Sequence, residues 1–369
     1  MGMGYQGFVK IYAASASGTP SGPVVLLATG SSVNQVLEPL FSTAVWGAGW
    51  YNAPTAAHYA DAAIHYEGSV DFEMQASSDA WNLLGNWAIN TRAYSKSIDI
   101  SPDGARVYQY HNSGDYPGSE TYDNSGAWCS ELTLNTSEGS FVTGSLGVWA
   151  LDRDEADPDG GTAFSDYTYI EQKEGVIGGD STTFAGTNPL NPSGANVDPI
   201  PFWKTDADLL TGAYTAPFTG GAAPQSGLET VEWSVTVNNG LIALYTCSGS
   251  RLPSAILQGP IDGSGNVTLY HTDGVFDPIL GPLHTGSLTS PYMYAENSWF
   301  RVTIATSALT SVYMEMPAVV ISGDDYGLRG QADVTNRGFD LRALGGRIYS
   351  AVVMPPVIMS NSAGAFVSP

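Results

Sequence analysis

Two groups of carboxylates have spacings that chemistry could use. In the first, Glu155, Asp157, Asp159 and Asp166 stand at positions one, three, five and twelve of a twelve-residue frame, with Gly160 at position six. Calcium loops put oxygen ligands at those positions and a glycine at the sixth, where the chain turns sharply. The frame departs from that pattern at both ends: Glu stands where Asp is usual and Asp where Glu is usual, and no helical periodicity flanks it. It reads either as a calcium-stabilised loop or as a solvated acidic turn between strands. The second group, Glu67, Asp71 and Glu73, lies on one side of an alternating stretch. Ile64, Tyr66, Gly68, Val70, Phe72 and Met74 interleave with His65, Glu67, Ser69, Asp71, Glu73 and Gln75. A period of two over this length predicts a strand with one apolar and one polar face. Same-face neighbours sit about 7 Å apart on a strand, so the carboxylates repel one another unless that face meets water.

Other chemistry finds little support. His58, His65, His111, His271 and His284 are scattered, with no i, i+4 pair and no His-Glu-x-x-His pattern. His65 falls on the polar side of its strand and is expected to be solvated. No Gly-x-Ser-x-Gly elbow is present, and Lys10, Lys96, Lys173 and Lys204 close no glycine-rich phosphate loop. Paired carboxylates also serve glycosidases, but no spacing here sets their separation. Trp81, Trp87, Trp149 and Trp233 fall in or beside apolar periodic positions and read as core. The expectation is a protein that is not an enzyme and has no cofactor, calcium in the acidic loop excepted.

The elements that must position these residues are mostly strands. Gly (43) and Pro (22) supply turns among the 369 residues, and 43% of the chain is hydrophobic, enough for a sizeable core. Alternating or apolar runs predict strands at 7–13, 25–28, 64–75, 98–110, 131–151 (a hairpin turning at Ser137-Glu138-Gly139-Ser140), 229–238, 241–245, 266–271, 299–305, 312–321 and 339–344. Ser78 or Asp79 can cap a helix whose face carries Trp81, Leu84 and Ala88. Residues 152–226 are dense in Asp, Gly, Pro, Thr and Ser with little periodicity, and read as a long insertion or loop arm. The organisation expected is one β-domain in two halves, 1–151 and 228–345, with 152–227 as a loop-rich insertion or small subdomain and 346–369 as a C-terminal arm.

Charge bounds the partners. There are 36 acidic against 13 basic residues, a net charge of −23. Tight nucleic-acid binding needs basic residues to neutralise phosphates, so the composition disfavours it, and anionic membranes likewise. No apolar run reaches the ~20 residues of a spanning helix, so no membrane insertion is expected. Residues 1–5 lack the basic-then-apolar pattern of a signal peptide, which points to synthesis and retention in the cytoplasm or release within a particle. Cys129 and Cys247 form no disulfide framework, and both are expected to be buried thiols.

Several stretches carry a likeness: residues 63–73 (AIHYEGSVDFE), 230–240 (TVEWSVTVNNG), 250–259 (SRLPSAILQG) leading to 265–270 (GNVTLY), and 336–341 (NRGFDL). Through these the chain resembles the tail tube (major tail) proteins of long-tailed, siphovirus-like bacteriophages, over roughly 5–151 and 228–345. The resemblance implies a mainly β, sandwich- or barrel-type tail tube fold with one flanking short α-helix and the loop-rich insertion. It further implies six copies in a ring, with rings stacked into a tube that conducts DNA during ejection. Partners would be other copies of the chain, tape measure and tail terminator proteins, and double-stranded DNA in passage. The place would be the virion tail, after synthesis in the host bacterial cytoplasm. Glu67, Asp71 and Glu73 would then face the lumen and repel DNA. The alternative is a carbohydrate-binding or adhesive β-module of a tail component.

Overall fold

A computed structural model of the chain describes residues 8–12, 24–41, 59–75, 81, 84, 105–111, 120–150, 152–154, 199–211, 230–247, 250–270, 298–305, 311–326, 336–345, 348–349, 352–353, 356–361 and 364–365. These are mainly strands. In chain order they are β1 (Phe8–Tyr12), β2 (Val24–Phe41), β3 (Tyr59–Glu73), β4 (Ala105–His111), β5 (Glu120–Ser137), β6 (Thr143–Ala150) and β7 (Asp152–Asp154). After a 3-10 turn at Phe202–Lys204 follow β8 (Thr205–Thr211), β9 (Thr230–Asn238), β10 (Leu241–Leu244), β11 (Ala255–Gln258) and β12 (Asp262–Tyr270). The last are β13 (Ser298–Ala305), β14 (Ser311–Met316), β15 (Val319–Tyr326), β16 (Asn336–Ala343), β17 (Ile348–Tyr349), β18 (Val352–Val353), β19 (Ile358–Asn361) and β20 (Gly364–Ala365).

An 11-stranded antiparallel sheet runs β15-β16-β12-β9-β5-β4-β1-β2-β3-β6, with β7 beside β5. A further β5–β6 pairing closes β5, β4, β1, β2, β3 and β6 into a ring of strands. A second sheet, five-stranded, runs β20-β19-β14-β13-β8. The inward sides of the two sheets form one core. Val70, Phe72, Leu132, Leu134, Leu146, Val148, Trp233, Val235, Val267, Phe339 and Leu341 come from the large sheet; Ala207, Leu209, Phe300, Val302, Ile304, Met314, Met316 and Met359 come from the small one. This is a β-sandwich joined to a closed ring of strands. Period two builds it: burial alternates residue by residue along β6, as a half-buried strand requires.

The hairpin turn falls where the sequence places it. Ser140 donates from its backbone N–H and its hydroxyl to the Ser137 carbonyl (3.0 and 2.6 Å), and Gly139 takes the positive φ of 81° that side chains disfavour. Gly68 has a different reason. A Cβ there would lie 1.5 Å from the Ser32 carbonyl oxygen on β2. Gly68→Ala must therefore push β2 off β3, and a loss of about 2–3 kcal/mol is expected, read as a lower midpoint in urea unfolding. A change within a few tenths of a kcal/mol would show that β2 yields freely.

Several expectations need correction. The run at 25–28 is the start of β2, which continues to Phe41 across the turn-like residues Gly30-Ser31-Ser32 because β3 pairs it through Tyr59. The predicted strand at 312–321 is two strands. Pro317, without an N–H for a ladder, stands where the chain leaves the small sheet as β14 and enters the large one as β15. Residues 152–226 are not all loop, since β8 is an integral strand of the small sheet with Ala207 and Leu209 in the core. Part of the tail beyond residue 345 is likewise built in, as β19 on β14. Of the expected helix, only Trp81 and Leu84 lie among the described residues; both are helical in backbone and buried. Cys129 is buried, but Cys247 is exposed.

Candidate functional site

The outward face of the large sheet carries rows of polar side chains across six strands. Cross-strand register aligns Asp71 on β3 with Ser145 on β6, Ser145 with Thr133 on β5, Thr133 with Thr236 on β9, Thr236 with Ser264 on β12, and Ser264 with Arg342 on β16. The next row holds Glu73, Thr143, Asn135, Ser234, Asn266 and Asp340. All twelve are exposed or half-buried. These are the even-spaced partners of the core positions, so the alternation that buries Val70, Leu132 and Val235 also turns their neighbours outward.

Hydrogen bonds tie the face together sideways. Ser145 donates to Asp71 Oδ1 (2.6 Å), Thr143 to Asn135 Oδ1 (2.8 Å), Asn238 to Glu131 Oε2 (3.2 Å) and Asn266 to Asp340 Oδ1 (3.0 Å). The Thr133 and Thr236 hydroxyls meet at 2.9 Å. Glu67, Asp71, Glu73, Glu131, Glu232, Asp262 and Asp340 bring carboxylates to it. An opposing charge on this face is Arg342, 3.6 Å from Asp262 and solvent-exposed, where a pair is worth little. The surface is hydroxyl- and amide-rich, anionic and poor in apolar anchors.

Glu67, Asp71 and Glu73 thus share a face, in the company of four acids that the sequence reading did not gather. The calcium frame of Glu155, Asp157, Asp159 and Asp166 lies outside the described residues. Among the described residues no cluster of three or more His, Cys, Asp or Glu is placed to hold a metal. Two expectations fail at one corner of the face. His65 is not solvated: it is 8% exposed, with the Tyr245 hydroxyl 3.2 Å from Nδ1, Glu67 Oε2 3.4 Å from Nε2 and the Trp149 ring at 5.3 Å. The segment around β10 and β11 covers it, anchored by Ile64 N–H donating to the Arg251 carbonyl (2.9 Å). Trp149 is consequently not core; it stands on the polar side opposite Glu67.

The small sheet has its own charged group. On the side away from the core, Arg301 stands opposite Asp208 on β8 and Glu315 on β14, and Asp206 is opposite Thr303. Arg301 Nε donates to Glu315 Oε1 at 2.5 Å, both buried. Burial, then the Asp206 charge, push the Asp208 carboxyl up to about 7 against the pull of Arg301. A carboxyl raised from 3.8 to about 7 takes up a proton on folding, so its contribution weakens stability as pH rises across that window. Asp208→Asn should therefore stabilise the protein at pH 8 by about 1 kcal/mol, after allowance for solvent screening, and do little at pH 4. Thermal unfolding at both pH values checks this; equal shifts at the two would contradict it.

No protein family model matches the chain, and no curated protein does. Among solved structures, the SPP1 tail tube, determined by solid-state NMR and cryo-EM, matches at 16% identity over 40% of this chain and 77% of that one, with a TM-score of 0.26. An identity and a score this low leave the family unassigned. No helix among the described residues is long and apolar enough to cross a membrane.

Proposed function

We propose that the chain is a non-enzymatic, cofactor-free structural subunit of a phage-type tail tube, assembling with its own copies into stacked rings around a passage for DNA. One observation carries the reading: a sheet face spanning β3, β6, β5, β9, β12 and β16 that is anionic and hydroxyl-rich. Such a surface suits contact without adhesion. It repels phosphates within a Debye length of about 8–10 Å, and its hydroxyls keep water at the wall. Edges supply the means of assembly. β15 ends the large sheet's path, and an end strand's outer N–H and C=O groups pair readily with a neighbouring chain. A heterologous contact of this kind forms rings when the rotation closes and filaments when it does not. The resemblance noted in residues 63–73 and 230–240 points the same way. Negative-stain imaging of the purified protein over a range of concentrations is the test. Hollow tubes or rings that grow with concentration are expected; a monomer at every concentration would remove the proposal.

A further inference from the structure

A second surface lies at one end of the sandwich, where the β5–β6 turn, the 3-10 turn and the ends of β8, β9 and β12 meet. It is a cleft of about 320 Å³ whose walls include Glu138, Trp203, Asp206 and Tyr270. Trp203 is 70% exposed, an unusual position for a large indole that could pack elsewhere. It is held there: Phe202 N–H donates to the Ser140 carbonyl (3.0 Å), and the Phe202 ring meets Trp203 edge-on at 5.5 Å. Glu138 is aimed as well, since the Tyr270 hydroxyl donates to its Oε2 at 3.0 Å. Burial pushes the Asp206 carboxyl upward, against the Ala207 backbone N–H that lowers it, so this carboxylate is short of solvent. No Lys or Arg is among the described residues that line the cleft.

We propose that the cleft receives an arginine side chain from a different, basic protein, its guanidinium stacked on Trp203 and paired with Glu138 and Asp206. A planar cation satisfies the parts together: it stacks on an aromatic face, and its forked N–H groups match carboxylate oxygens. A saccharide would also stack on the indole and hydrogen-bond the carboxylates, but it would bring no charge to neutralise them. The donor is placed on a different, basic protein because its charge complements the acidic cleft, whereas a second copy of this chain would bring a further −23.

The test uses the full chain and a tri-arginine peptide, by titration calorimetry at physiological salt. Sub-millimolar binding is expected, weakened about fivefold or more by Trp203→Ala and by Glu138→Gln. Tri-lysine should bind more weakly. Asp71→Asn, which removes the same charge from the other face, should leave tri-arginine binding unchanged. Both cleft residues are on the surface, so circular dichroism melting should show the variants folded. The proposal is overturned if Asp71→Asn weakens binding as much as Glu138→Gln, which would mark diffuse attraction to an acidic protein, or if Trp203→Ala has no effect. Trp203-dependent binding of maltohexaose without tri-arginine binding would replace it with a sugar site.

Discussion

Replacing Glu67, Asp71 and Glu73 together with lysine is expected to create retention of duplex DNA, where the unaltered protein is expected to show none. The three positions lie on one strand face, four and two residues apart in turn, so the new ammonium groups would be spread along about 20 Å of strand. Of their neighbours, Ser69, Ser145, Thr143 and Asn34 are hydrogen-bonding groups that present little bulk against a phosphate backbone, and Trp149 opposite Glu67 is the large one. The chain would still be strongly acidic overall, starting from −23. Retention would therefore report the local field, since charge farther away than a Debye length is screened.

The effect has a signature. Three lysines that each neutralise a phosphate give a dependence of log K on log salt of about −2.7, so affinity falls about 40-fold between 50 and 200 mM salt. An electrophoretic shift of a linear duplex measures it, with the unaltered protein giving no shift. Stability should move by no more than about 1 kcal/mol, because the bonds lost, Ser145 to Asp71 and His65 to Glu67, are at or near the surface. In an assembled tube the same variant should slow DNA ejection. A triple variant that still fails to shift duplex, or an unaltered protein that shifts it, would show that the acids on this face do not govern contact with DNA.

The half of this face that sequence reveals is the half made by local period. β3 and β9 each alternate cleanly enough to show which residues share a side. What sequence hides is the neighbour: Asn266 bonds Asp340 from 74 positions away, and nothing local sets that register. Trp149 shows the converse. Its parity with Ser145 and Gly147 assigns it to the polar side, yet its residue type suggests core, and its actual place depends on His65 and Tyr245 arriving from elsewhere. β8 was illegible for a related reason. Asp206 and Asp208 alternate with Ala207 and Leu209, but two carboxylates in so short a run read as loop until Arg301 is set beside them. In β2, Gly30, Ser31 and Ser32 have turn composition and are extended only because β3 pairs with them.

That dependence of β8 on a distant arginine makes Arg301→Met the substitution with the largest expected cost in stability. Arg301 is 8% exposed, lies over the Trp299 ring at 4.7 Å and donates to Glu315, which is 1% exposed. Methionine keeps much of the packing volume and none of the charge. Glu315 and Asp208 would then face each other's side of β13 without the cation between them, and removing one partner of a buried pair costs about 3–5 kcal/mol. The sign of the pH dependence separates this from simple misfit. With the cation gone, the Asp208 carboxyl, already pushed up by burial, loses the charge that lowers it, so folding takes up protons more strongly and stability recovers as pH falls. The deficit should be greatest near pH 8 and shrink toward pH 4, in urea unfolding at each pH. Adding Glu315→Leu should restore part of the loss at pH 8, because an apolar pair needs no compensation in a buried position. A deficit equal at both pH values and unrelieved by the second substitution would mean that Arg301 serves by its shape against Trp299 and Tyr313, and that the charge it carries is incidental to holding β8 in the sheet.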